Sequence, residues 1–120
     1  MTMAQTLGGS VREVLTVSPD AQASTADPVV LDGSEMDVRA WRSLAYTLKN
    51  ITNTITYNVF GANISDYSDE VVVSGPTDIL AAANSSYAVS PPPYGYYRVK
   101  IEDKVDGNHG TVTLNGICKY

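Results

Sequence analysis

Apolar and polar residues alternate along most of the chain, and the alternation predicts strands. Between Tyr96 and Glu102, Tyr97, Val99 and Ile101 fall on one side and Tyr96, Arg98, Lys100 and Glu102 on the other. A period of two places these sets on opposite faces of a β-strand. Thr111 to Leu114 repeats the pattern with β-branched residues. The DKVDGNHG between them is rich in Asp, Gly and Asn, which tolerate positive φ. Tyr94–Tyr120 therefore predicts a long β-hairpin against which the upstream strands pack.

Upstream, Val11–Val17 predicts a first strand, closed by the turn signal Ser18-Pro19-Asp20. Asp20–Pro28 reads as a small-residue loop, and Pro28–Leu31 as a short apolar piece broken by Asp32-Gly33. Glu35–Ala40 alternates, with Met36, Val38 and Ala40 facing one way and Glu35, Asp37 and Arg39 the other. In Trp41–Asn50, Leu44, Tyr46 and Leu48 point inward. The spacing of Leu44 and Leu48 would also suit a helix, but Tyr46, Thr47 and the following Asn50-Ile51-Thr52-Asn53 turn favour a strand. Ile55, Tyr57 and Val59 repeat the pattern, so Ser43–Asn50 and Thr54–Phe60 are expected to form a second hairpin. Gly61–Ser68 reads as a loop. Glu70–Ser74, with Val71-Val72-Val73, predicts a strand that is buried on both faces or lies at an interface, ended by Gly75-Pro76. Thr77–Ala83 admits a single helical turn, and Ser85–Ser90 a short strand carrying Tyr87 and Val89. Pro91-Pro92-Pro93 cannot donate to a ladder and predicts a rigid crossover rather than a ligand for a proline-reading module.

About eight or nine short strands with regular turn signals and no long helical pattern predict an all-β fold. The expected architecture is an antiparallel β-sandwich, either a jelly roll or immunoglobulin-like, although the Cys…Trp…Cys signature of an immunoglobulin domain is missing. Residues 1–10 are small and polar and read as an extended N-terminal arm; residues 11–120 form a single domain. A chain of 120 residues buries roughly two thirds of its unfolded surface, enough for two layers.

Charge narrows the possible partners. A net charge of −5 argues against unspecific binding to nucleic acid or anionic membranes. The basic residues are scattered, with Arg39 and Arg42 the nearest to a cluster. No apolar run is long enough to span a bilayer, and Met1–Ser10 lacks the charged and apolar regions of a signal peptide. The Asn-X-Ser/Thr matches at Asn50, Asn63 and Asn84 are accordingly read as chance. The single cysteine, Cys118, precludes an internal disulfide and is expected to pack as a small hydrophobe. Small secreted domains usually pair their cysteines, so assembly inside a cell is expected.

Candidate chemistry is sparse. The lone histidine, His109, is expected to be an exposed turn residue. Asp103, Asp106 and Asn108 crowd one turn, and Asp66, Asp69 and Glu70 another. Calcium favours such oxygen clusters, but the glutamate that closes an EF-hand loop is missing, and Asp-Gly and Gly-Asn are good turn formers. No glycine-rich phosphate loop or nucleophile motif is present, so no enzyme activity, cofactor or metal is expected. The aromatic set is more telling: eight tyrosines with one Phe and one Trp. Tyr94, Tyr96 and Tyr97 crowd beside the prolines, and alternation sends Tyr96 and Tyr97 to opposite faces. Tyrosines anchor protein interfaces and stack on sugars, and an interface is the favoured reading. Trp41 and Leu7 complete the candidate interface residues.

From Trp41 onward the chain runs SLAYTLKN, a short turn, TITYNVFGANISDY, DEVVV, an alanine/serine segment, a Tyr-Val-Ser-Pro step, YYRVKI and HGTVTLNGICK. This order resembles small phage-encoded virion proteins, and is most similar to head decoration (cement) proteins built on a β-sandwich or jelly roll. The resemblance implies a partner, the major capsid protein, and a homo-oligomer, commonly a trimer at three-fold sites of the outer shell. It implies synthesis in the host cytoplasm, residence on the capsid exterior and no chemistry. A carbohydrate-binding module, a head–tail connector and a tail- or fibre-associated domain are the alternatives.

Overall fold

The computed structural model describes residues 21–120 and, before them, the backbone of three short strands. Those three are β1 (Thr6–Leu7), β2 (Ser10–Val11) and β3 (Val14–Val17). Three two-residue strands follow, β4 (Gln22–Ala23), β5 (Val29–Val30) and β6 (Met36–Asp37), then the long β7 (Ser43–Asn50). β8 (Ile55–Ala62), β9 (Val71–Ile79), β10 (Asn84–Val89), β11 (Tyr96–Asp103) and β12 (Thr111–Lys119) complete the set. Residues 1–5, 8–9, 12–13 and 18–20, the last with the expected Ser18-Pro19-Asp20 turn signal, lie outside the described residues. Within the arm, Thr6 pairs Val11 and Leu7 pairs Ser10 in a small ladder of its own.

Two antiparallel sheets pack face to face. The first has the order β10-β7-β12-β3, with β4 also paired to β12; the second has β5-β11-β8-β9, with β6 also paired to β11. Treating β3 with β4 and β5 with β6 as single positions, this is the strand order of a jelly roll. The chain changes sheet at every connection between those positions except β8 to β9.

Alternation sets the faces as expected. Along β11, Tyr97, Val99 and Ile101 are buried while Tyr96, Arg98 and Lys100 are partly exposed. Leu44, Tyr46 and Leu48 of β7 meet Ile55, Tyr57 and Val59 of β8 in one core. The buried phenols find polar partners: Tyr46 donates to the Ser34 carbonyl, and Tyr57 shares a 2.7 Å bond with Ser85 Oγ.

Both expected hairpins are absent. β7 and β8 lie in different sheets, and so do β11 and β12. Alternation fixes which face of a strand is buried, not which strand lies beside it. Turns 51–54 and 104–110 cross between the layers, so each pair meets core face to core face.

β9 also departs from expectation. It continues through Gly75-Pro76 to Ile79, where a strand end and a helical turn were expected; the turn is left to Leu80–Ala83. The register with β8 runs Tyr57–Thr77 and then Val59–Ser74, so Gly75 and Pro76 bulge opposite Asn58. Gly75 is required there: its φ is +121°, and a Cβ would sit 2.5 Å from Asn58 Oδ1. Proline is tolerated because β9 is an edge strand, one of its sides being unpaired among the described residues. For the same reason Val71 and Val72 are not buried on both faces; they are exposed, and only Val73 packs against the core.

Candidate interaction surface

Among the described residues no three His, Cys, Asp or Glu side chains gather as a metal-binding group. The two acidic clusters are occupied by the chain's own donors. Asp69 accepts the Asn63 and Ile64 amides, and Asp66 accepts the Ser68 amide, so these carboxylates fold the loop between β8 and β9.

Asp103 is buried at the end of β11. It accepts bonds from Ser24 Oγ, His109 Nδ1 and the Gly107 amide. Ser24 Oγ also receives the Gly110 amide at 2.8 Å. Loss of solvent favours the protonated Asp103 carboxyl, but the Ser24 and His109 bonds outweigh it and hold the group below the usual carboxylate range. A depressed carboxyl contributes stability that is complete above its unfolded value and lost as pH falls through the folded one. The melting-temperature gap between wild type and Asp103→Asn should thus be widest near pH 6 and close toward pH 3; a gap independent of pH would refute this tether. His109 remains half exposed, as a turn residue, and its ring does not reach Ser24 through any bond that would activate the hydroxyl.

This tether belongs to a braced end of the sandwich. Loops 24–28, 51–54, 80–83 and 104–110 converge there. Asp103 N donates to Thr25 O, Asn50 N to Ala83 O, Ile51 N to Thr111 O and Asn53 Nδ2 to His109 O. Asn50 Nδ2 bonds Ile79 O at 2.9 Å. Three of these loops present one large aliphatic side chain each to solvent: Ile51 at 50% exposure, Leu80 at 65% and Val105 at 58%. Sequence reading did not find them, because each stands alone in a turn outside any periodic pattern.

The outer face of the second sheet differs in character. Arg98 bonds Glu70 and Glu35, both at 2.9 Å, and Lys100 bonds Glu70 at 2.8 Å. Burial alone would raise the Glu70 carboxyl, but its two cations hold it below the ordinary range. Arg98 lies 4.2 Å above the Tyr67 ring and Lys100 4.8 Å above Phe60. Arg98, Lys100, Glu70 and Glu35 thus neutralise one another across the middle of this face.

The sequence candidates separate accordingly. Tyr97 is fully buried between the sheets, edge-on to Tyr94 and beside Tyr87. Its ring belongs to the core rather than to a contact surface. Tyr94 is half buried and lies over Gly61. Tyr96 faces outward, as alternation requires, under Arg39 at 5.0 Å and against Tyr67. Trp41 packs against the core from its rim. The Leu7 side chain lies outside the described residues.

The fold is shared with a prophage-derived protein. YomS, from the SPBc2 prophage, superposes with a TM-score of 0.61 at 13% identity, over 92% of this chain and 96% of its own. A chain from Bacillus endospore appendages, described as disulfide-linked pili, superposes with a TM-score of 0.54 at 11% identity, over 98% of this chain and 97% of its own. At such identities the likeness is one of fold. No family model and no curated protein matches the sequence.

Proposed function

We propose that the protein is a structural part of a phage virion, a decoration (cement) protein that binds the major capsid protein on the outer head surface and acts without chemistry. The observation that carries this reading is the braced loop end, where Ile51, Leu80 and Val105 are held out to solvent on mutually hydrogen-bonded loops. Aliphatic tips on a rigid base suit docking onto a preformed surface, since little order is lost on binding. The fold shared with YomS along nearly the whole of both chains agrees with a phage origin. Three-fold sites on a shell would impose the trimer that the family resemblance implies.

Two other readings fit less well. A sugar-binding module needs open aromatic faces, yet Tyr97 is in the core and Tyr96 is covered by Arg39. Disulfide-linked assembly, as in the endospore pili, needs a reachable thiol. Cys118 is buried, and burial pushes its thiol up to about 11.

A protein that binds only the mature shell stabilises it by RT ln(1 + [L]/Kd) per site, about 2.7 kcal/mol at a hundredfold excess over Kd. The test is co-sedimentation with shells lacking the protein, comparing wild type with an Ile51→Ser, Leu80→Ser, Val105→Ser triple variant. Burying three half-exposed aliphatic side chains is worth about 1 kcal/mol each, so the variant should bind roughly 100-fold more weakly. Its melting temperature should be nearly unchanged, because the three side chains are exposed. Wild-type affinity in the triple variant would overturn the reading.

A further inference from the structure

Charges that are scattered along the sequence are sorted in space. Every Asp and Glu among residues 21–120 lies on a strand of the second sheet or in a connecting loop, and the strands of the first sheet carry none. The cations divide in the same way. Arg39 pairs with Asp37, Arg98 and Lys100 with Glu70, and Lys104 with Asp78. Lys49 of β7 and Lys119 of β12 are exposed, as is Arg42 just before β7, and among the described residues none of the three has an ion-pair partner. A chain of net charge −5 thus carries an unneutralised cationic face on its first sheet.

That face is also shaped. Where β7 begins and β10 and β12 end, it holds a groove of about 340 Å3 whose lining includes Ser43, Ala45, Ala88, Ser90, Ile117 and Lys119. The register accounts for it, since Ala45 lies between Ala88 of β10 and Ile117 of β12. An alanine side chain ends at Cβ, so two of them side by side lower the sheet surface beside the longer Ile117. Arg42 adjoins the groove through its backbone: its amide donates to the Lys119 carbonyl, and its carbonyl accepts a bond from Ser90 Oγ. The groove lies at the opposite end of these strands from Ile51, Leu80 and Val105.

We infer that this groove is a second docking site, for an extended acidic segment of a partner protein. An aliphatic side chain of the segment sits over Ala45 and Ala88 beside Ile117, and a neighbouring carboxylate meets Lys119. Charge complementarity selects this occupant. At physiological salt, charges beyond about 8 Å are largely screened, so an approaching segment responds to Lys119 and Arg42 more than to the net charge of the chain. Nucleic acid fits less well. Its duplex carries a charge about every 1.7 Å and calls for a dense track of cations, whereas Arg42, Lys49 and Lys119 are isolated and the groove floor is apolar.

The experiment uses the full chain without any shell, so its outcome is independent of the capsid reading. The isotope-labelled protein is titrated with a short peptide of alternating leucine and aspartate while amide chemical shifts are followed. The amides of Ala45, Ala88 and Ile117 should move, and the same peptide with lysine in place of aspartate should leave them still. Lys119→Glu, at an exposed position, should fold normally and weaken binding by about tenfold. Ala88→Leu, which fills the groove floor, should weaken it by about as much. Lys104→Glu makes the same charge change beside the second sheet and should have no effect. Still amides up to about 1 mM peptide, equal binding of the lysine peptide, or wild-type affinity in Lys119→Glu would each overturn the assignment. So would tighter binding of a single-stranded oligonucleotide or of phosphatidylserine vesicles, or groove shifts that grow with protein concentration alone, which would give the face to nucleic acid, a membrane or a second copy.

Discussion

Tyr97→Ala should destabilise the protein by about 4 kcal/mol, as expected for truncating a large, fully buried aromatic side chain. In a domain of this size that lowers the melting temperature by about 15 °C. The ring fills the space between the sheets where Tyr87 approaches from β10 and Tyr94 from the loop before β11, with centroids 6.5 and 6.1 Å away. The sheets are held apart by their remaining side chains and cannot close on the void, so the cavity persists. Tyr97→Phe tests the same site by contrast. The hydroxyl accepts only a long 3.4 Å bond from the Tyr94 amide, so its removal should cost less than about 1 kcal/mol. Thermal unfolding by circular dichroism distinguishes the two, and an alanine variant that melts within a few degrees of wild type would place the ring outside the core.

Gly110→Ala should cost about 3 kcal/mol, the upper end of what overpacking a well-filled site incurs. A Cβ at this position would lie 2.3 Å from Ile55 Cγ2, 2.5 Å from the Asn53 carbonyl and 2.9 Å from Asn50 Oδ1. None can yield easily. Ile55 is fully buried, Asn53 O is backbone, and Asn50 is anchored through Nδ2 to the carbonyls of Asn53 and Ile79. Relief would require loop 104–110 to lift, which also breaks the exchange between Gly110 and Ser24. The expected signature is a fall of about 12 °C in melting temperature, together with faster amide exchange through residues 104–110. A variant as stable as wild type would show that the loop has slack that the close packing denies.

These two positions show where sequence pattern carries information. Tyr97 could be assigned to a buried face, because a period of two over Tyr96–Glu102 leaves no other arrangement of Val99 and Ile101. Its candidacy for a partner surface arose from its neighbours Tyr94 and Tyr96, and adjacency in a strand means opposite faces. Gly110 reads only as one more turn glycine, since its constraint comes from Ile55 and Asn53, more than fifty positions away. Pairing was illegible for the same reason. Ser43–Asn50 and Thr54–Phe60 have hairpin spacing, yet their apolar faces meet across the sandwich. The Val71-Val72-Val73 run signalled a strand covered on both faces or lying at an interface, and the exposure of Val71 and Val72 removes the first of these. Ile51, Leu80 and Val105 carry no pattern at all; only the convergence of four loops makes them a surface.

The placement of β11 and β12 also bears on how the chain reaches this fold. Each lies in the middle of its sheet, β11 between β8 and β5, and β12 between β7 and β3. Both come after all their partners in the sequence. During synthesis β7, β8 and β3 must therefore wait, with Leu44, Tyr46 and Leu48 uncovered, until the central strands arrive. Pairings across such separations are slow to form and leave sticky intermediates on the way. Yield from a ribosome or a refolding vessel is then governed by how crowded the half-built sheets are, and chaperone cover of the waiting strands favours the sandwich over aggregates.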